Sequence, residues 1–353
     1  MKKLFLSLVA AIVAATATFA QSNMLATLSH DGEISTYYGA SALRDAYNAA
    51  AHGDIITLSS GSFTAVNIEK ALTIRGAGMQ VDAVAQTYPT IITGDFSINI
   101  PVDIEQRLTM EGLYSNFAIT VKGTLKNASF LKNRLSAIVP ETTSTRMMNL
   151  MFIHNMIVGK FILPAESSAS CVNCYVSNAS SMSDTSSNFD FTNCFIMNST
   201  VSYSYNNKTN YTHLCNIKSS TFNNCIIYGI SESHFNNPIS SSCTAYYCVG
   251  KSVNNNSPIF TNIPNTTNTE LTGGLNTLFK TFTGTYTDGE TLELTDEAKT
   301  QYKGSDGTEV GIYGGNMPFD PTPTNPQITK CNVASKSTAD GKLSVDIEVS
   351  ITE

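Results

Sequence analysis

Tryptophan is absent from the 353 residues, charged side chains make up only 14%, and beyond residue 20 no apolar run is long enough to cross a bilayer. So little charge is unusual for a helical protein. Basic residues are the scarcer sign, 21 against 28 acidic, and neither sign is clustered, which disfavours nucleic acid and anionic membrane as partners. What is plentiful is Ser, Thr and Asn, crowded into residues 165–270, a composition common in all-β extracellular proteins.

The one long apolar run is at the start. Met1-Lys2-Lys3, the run Leu4 to Ala15 and the small-residue exit "TATFAQ" read as a bacterial signal peptide over residues 1–20, cut after Ala20. The expected location is therefore secreted: periplasmic, cell-surface or extracellular. No cysteine follows the cut, so a lipid anchor there is not expected. Eight cysteines in an exported chain usually mean a disulfide framework, but their positions argue otherwise.

A five-column pattern repeats through the middle of the chain: "LKNRL" (131–135), "IHNMI" (153–157), "CVNCY" (171–175), "FTNCF" (191–195), "FNNCI" (222–226) and "AYYCV" (245–249). Intervals of roughly 20 to 30 residues suit one solenoid coil per repeat, with one long excursion around Thr200 to Leu214. The centre of each repeat reads as a tight polar corner between short strands, where Asn tolerates left-handed backbone angles. On this alignment Asn133, Asn155, Asn173, Asn193 and Asn224 stack in one structural column, broken at Tyr247. The next column holds Arg134, Met156, Cys174, Cys194, Cys225 and Cys248. Stacked side chains point the same way rather than at each other, so these cysteines are expected as small buried hydrophobes and not as disulfides. The alternative, a metal site at "CVNC" (Cys171, Cys174), lacks the second pair or histidine that would make it specific. No metal or other cofactor is expected.

The same logic reads Ala49 to Gly78. Three short apolar runs separated by turns make one turn of a three-sided parallel β-helix. Upstream, Leu43, Ala46, Tyr47 and Ala50 lie on one face of a helix that would cap the open first coil. Here "GDII" at Gly53, "GSF" at Gly61 and "LTIRG" at Leu72 to Gly76, echoed by "LTMEG" at Leu108, resemble the first coils of the pectin-lyase-like β-helix proteins. Past the last coil, "SPIF" (257–260), "LEL" (292–294), "TDEA" (295–298) and "EVGIYGG" (309–315) resemble the closing elements of secreted members, with Glu309 and Ile312 departing from the pattern. The resemblance implies an all-β fold, a single-stranded right-handed parallel β-helix. The expected organisation is a strand and capping helix (21–52), coils (53–251), an irregular closure (252–317), a Pro-rich linker (318–327) and a β-hairpin tail (328–353). Alternation of Leu343, Val345, Ile347, Val349 and Ile351 marks the tail strand, which would pack along the solenoid or contact a protein partner.

Enzymes of this fold need either calcium-binding carboxylates with an Arg or Lys base, or paired acids roughly 5 to 10 Å apart. The acids here are sparse and no two share a repeat column. Calcium enters only under a lyase reading. Asp190 reads as an outward strand residue, His154 as an exposed or turn-bonded residue one step before a corner Asn, and Arg134 as a snorkelling or groove cation. No catalytic residue is expected. Tyr203, Tyr205 and Tyr211 in the excursion, with Tyr246 one coil later, could stack on sugar rings. The chain is therefore expected to be a non-catalytic surface protein associated with polysaccharide or another surface glycan. The alternatives are a polysaccharide lyase or glycoside hydrolase, and a structural or adhesive element assembled through its tail.

Overall fold

The computed structural model describes residues 24–81, 87–181, 187–197, 202–205, 208–211, 220–230, 243–252, 258–260, 266–324, 326–334, 336–338 and 340–350; within 202–211 and 327–333 it describes the backbone. The chain is a parallel β-solenoid, as its sequence repeat implies. One long face stacks nine parallel strands, from Ile55–Leu58 through Ser129–Leu131 and Ser167–Val172 to Thr244–Tyr246. A second face stacks ten, from Gly61–Thr64 to Thr269–Glu270. The third side is irregular, carrying the short parallel pair Thr124–Lys126 and Arg146–Met148 and the bridge Ile68 to Ile98.

Strict alternation builds the first face. In Ser167–Val172 the residues Ser167, Ala169 and Cys171 point inward and their neighbours outward. Inward aromatics stack from coil to coil: Phe130 on Phe152 at 4.8 Å between ring centroids, and Phe191 on Phe222 at 5.3 Å.

The first coil is closed twice. Strand β1 (Leu25–His30) pairs antiparallel with Ile55–Leu58, and β2 (Glu33–Tyr38) pairs antiparallel with β1. Helix α1 (Ala42–Ala49) buries Ala42, Leu43, Ala46 and Tyr47. Its C-terminal carbonyls, Tyr47 O and Ala50 O, each accept from Lys70 Nζ at 2.7 Å, while the Tyr47 hydroxyl accepts from the Glu69 amide at 2.6 Å. The cap is thus tied to the first coil by the groups a helix end leaves unpaired.

The outer side of the second face is apolar. Met156, Tyr175, Phe195, Ile226 and Val249 stand in one outward column and are buried beneath residues 271–319, Phe279 and Phe282 lying against Phe195. The sequence signal is a pair of consecutive apolar residues in each coil (Met156-Ile157, Tyr175-Val176, Phe195-Ile196), the mark of a strand buried on both faces. From there the chain runs back along one corner. Residues 304–324 form a strap that starts at Asn224 and ends at Glu111, so the first part of the Pro-rich segment lies on the coils. The tail is an antiparallel hairpin, Gln327–Val333 with Val345–Ser350, in register Val333 to Val345.

Candidate functional site

Strand pairing assigns the corner residues to columns. Leu131, Ile153, Val172, Thr192, Asn223 and Tyr246 are register partners, so the next position in each coil is Lys132, His154, Asn173, Asn193, Asn224 and Tyr247. All six have positive φ, between 49° and 55°. The position after that is Asn133, Asn155, Cys174, Cys194, Cys225 and Cys248, all buried.

The expected single Asn column is therefore two columns. Asn173, Asn193 and Asn224 make the left-handed corner, whereas Asn133 and Asn155 stand one step on, in line with the cysteines. Arg134 and Met156 in turn belong to the outward column of Tyr175 and Phe195. The expected alignment matched residue type, and Asn serves two different positions. The constant feature is spacing from an inward residue: Phe130, Phe152, Cys171, Phe191, Phe222 and Ala245 each precede the second column by three.

That second column is one hydrogen-bonded ladder. The amides of Leu113 and Asn133 donate to Asn133 Oδ1 and Asn155 Oδ1 of the next coil at 2.9 and 3.0 Å. The Asn155 amide donates to Cys174 Sγ at 3.3 Å and that of Cys194 to Cys225 Sγ at 3.4 Å. In the other direction Asn155 Nδ2 donates to Phe130 O at 2.7 Å, and the Cys194 and Cys225 thiols to Cys171 O and Phe191 O at 3.2 and 3.4 Å. Asn268 ends the ladder, taking the Cys248 amide at 3.0 Å and giving Nδ2–H to Ala245 O at 2.8 Å. Nothing in the five-column repeat marks Asn268.

The cysteines thus act as polar partners and not only as small hydrophobes. Burial pushes the Cys194, Cys225 and Cys248 thiols well up, which keeps the S–H that donates. Cys171, Cys174, Cys194, Cys225 and Cys248 are free thiols, and these and Cys243 are buried. Among the described residues no three His, Cys, Asp or Glu are grouped to hold a metal ion.

The strap holds the left-handed column. Asn224 Oδ1 accepts from the Ser305 amide at 2.9 Å, and Asn173 Nδ2 donates to Ile312 O and Gly314 O at 2.7 and 2.8 Å. His154 Nε2 meets Met317 O at 3.0 Å, Lys132 Nζ meets Asp320 at 2.9 Å, and Glu111 accepts the Thr324 amide at 2.7 Å. Burial alone would raise the Asp320 carboxyl, but the Thr322 amide and Lys132 outweigh it and hold it below the usual carboxylate range.

Arg134 is a tie between coil and closure. Its guanidinium lies 4.6 Å over the Tyr114 ring and bonds Asp288 at 2.9 Å, while the Tyr114 hydroxyl donates to the same carboxylate at 2.7 Å. Burial, then the acceptor Asp288, raises the Tyr114 hydroxyl. Asp190 is exposed on the first face, between Ser170 and Thr221 in the neighbouring coils.

The face around Asp190 presents two outward rows of side chains. One outward row runs Thr73, Thr109, Ser129, Met151, Ser170, Asp190, Thr221, Thr244, with Thr244 Oγ1 bonded to Thr221 Oγ1 at 3.4 Å. The row beside it passes through Leu131, Ile153, Val172, Thr192 and Asn223 and ends at Tyr246, which is 45% exposed. Tyr203, Tyr205 and Tyr211 lie in an antiparallel hairpin, Ser202–Tyr205 with Lys208–Tyr211. Register sets Tyr211 opposite Ser202, one step out of phase with Tyr203 and Tyr205, and their side chains lie outside the described residues. No model of a known protein family matches this chain, and no curated protein matches it either.

Proposed function

We propose that the chain is an exported β-solenoid of the pectin-lyase-like kind that holds extracellular glycan on its first face without cleaving it. The observation that carries this reading is the pair of outward rows on that face. One outward row is mainly hydroxyl, interrupted by Met151 and Asp190, and repeats at the strand spacing, about 4.8 Å; beside it the partly exposed row Leu131, Ile153, Val172, Thr192 and Asn223 ends in the Tyr246 ring. Sugar rings offer both hydroxyls and apolar C–H faces, so a flat surface alternating the two matches them along its length. Asp190 has Ser170 and Thr221 as its neighbours, not a second acid, which favours binding over hydrolysis.

The test incubates residues 21–353 with neutral and acidic polysaccharides, with and without calcium, following both retention and cleavage products. Retention without cleavage is expected, weakened roughly 2- to 12-fold by Tyr246→Ala, the worth of one aromatic contact of about 0.5–1.5 kcal/mol. Release of reducing ends or unsaturated sugars would replace this reading with the hydrolase or lyase.

A second reading has its own observation. In the tail hairpin Leu343, Val345, Ile347 and Val349 are 51–57% exposed. Two strands alone are not stable in water, so this apolar row favours a protein partner for the tail. Deleting residues 327–353 should then abolish partner capture and leave the coils folded.

A further inference from the structure

The strap meets the solenoid corner at one buried imidazole. His154 holds the left-handed position (φ 55°) that Asn fills in three later coils, and it is 7% exposed. Its Nε2 lies 3.0 Å from Met317 O. A carbonyl only accepts, so Nε2 carries the proton and Nδ1 keeps its lone pair. Nδ1 is buried and has no hydrogen-bond partner. Phe319 of the strap lies against the ring, centroids 5.9 Å apart. The charges acting on it are Lys132, one coil down, and Asp320 of the strap, themselves paired at 2.9 Å.

A neutral ring fits this site and a charged one does not. A proton on Nδ1 would sit on a buried atom that has no hydrogen-bond partner and would be repelled by Lys132. Asp320 pulls the other way through its carboxylate and its carbonyl, but the carboxylate is already engaged by Lys132 and by the Thr322 amide. Burial prevails, and the imidazole is held below its ordinary value of 6.5.

We propose that His154 is an acid-sensitive latch: unprotonated, it pins residues 315–324 to the corner, and its protonation releases that stretch while the coils stay wound. The upper half of the strap has no such dependence. At Asn173 the equivalent side chain bonds Ile312 and Gly314 through an amide that does not titrate. The closed strap binds fewer protons than the open one, so its hold is full above pH 6.5 and is lost as pH falls towards the depressed closed-state value. One proton is taken up on opening, so the opening equilibrium rises by at most about tenfold per pH unit within that window.

The test is hydrogen exchange of residues 315–324 in the full chain between about pH 7.5 and 5.5, corrected for the intrinsic chemical rate. Alongside it runs His154→Asn, which suits the left-handed backbone and cannot titrate. In the unsubstituted protein the corrected exchange should rise several-fold over that range, by at most about tenfold per unit below 6.5. In His154→Asn it should stay within about twofold, as should residues 305–314 in both proteins. An equal rise in His154→Asn, or no rise in either protein, refutes the latch. An imidazole signal absent from His154→Asn spectra should titrate below 6.5, and a midpoint at or above that value refutes it independently of how the variant folds.

Discussion

Replacing Asn155 by Ala and, separately, by Cys asks whether the buried ladder holds the coils in register. The Asn155 side chain takes the Asn133 amide at 3.0 Å and gives Nδ2–H to Phe130 O at 2.7 Å and Ile153 O at 3.0 Å. Its Oδ1 also accepts from Asn133 Nδ2 at 3.1 Å, and alanine removes all of these bonds where neither Asn133 nor Asn155 is exposed to water. An orphaned buried amide costs about 1–3 kcal/mol, the carbonyls somewhat less, and the void adds about 1 kcal/mol. The sum is a loss of about 3–5 kcal/mol. Cysteine keeps one acceptor and one donor, as Cys174 does one coil on with the Asn155 amide at 3.3 Å and Phe152 O at 3.4 Å. Its cost should be about 1–2 kcal/mol. The assay is urea unfolding followed by circular dichroism and by tyrosine fluorescence, with coincident transitions as the condition for comparing free energies. If Ala stays within about 1 kcal/mol of the unsubstituted protein, or Cys is as damaging as Ala, the ladder is not what sets this stability.

Gly315→Ala would bring a Cβ to 2.1 Å from Asn193 Nδ2 at a φ of +80°, so it should lift the middle of the strap and speed proteolysis there while the β-solenoid circular dichroism persists. Unchanged cleavage would argue against the strap lying on Asn193. His30 behaves oppositely to His154: its hydrogen bond to Asp54, then the charge of Asp54, raises its value. Its contribution is therefore full below pH 6.5 and lost as pH rises through the raised value, so the Tm gap between wild type and His30→Gln should be widest in acid. A gap that widens with rising pH would contradict this. Arg134→Met should cost about 1.5–3 kcal/mol, the worth of a charge-assisted bond, and raise hydrogen exchange in residues 286–290, where its partner Asp288 lies. An unaltered exchange pattern would mean the closure is held by its apolar contacts alone.

Hydroxyl-rich composition, short strands and a corner repeat were enough to establish a parallel solenoid with a helical cap, because strand alternation and coil length are local properties of the chain. The C-terminal hairpin was legible for the same reason. The column assignment was not. Asn appears at two adjacent positions of the corner, once for its left-handed backbone and once for its amide. Only the strand pairing, Ile153 to Val172 and Thr192 to Asn223, separates the two uses.

Composition, coil length and the alternation within each short strand belong to the sequence alone, since each is read within one coil. What tertiary structure decided joins residues over a hundred positions apart: Asn173 under Ile312, His154 under Met317, Lys132 against Asp320, Arg134 against Asp288. None of these pairs shares a period or a motif. They exist because the chain, after its last coil, turns back along the corner it has built, and the free energy of covering an apolar outer face and a column of corner polar groups selects the partners only once both surfaces have formed.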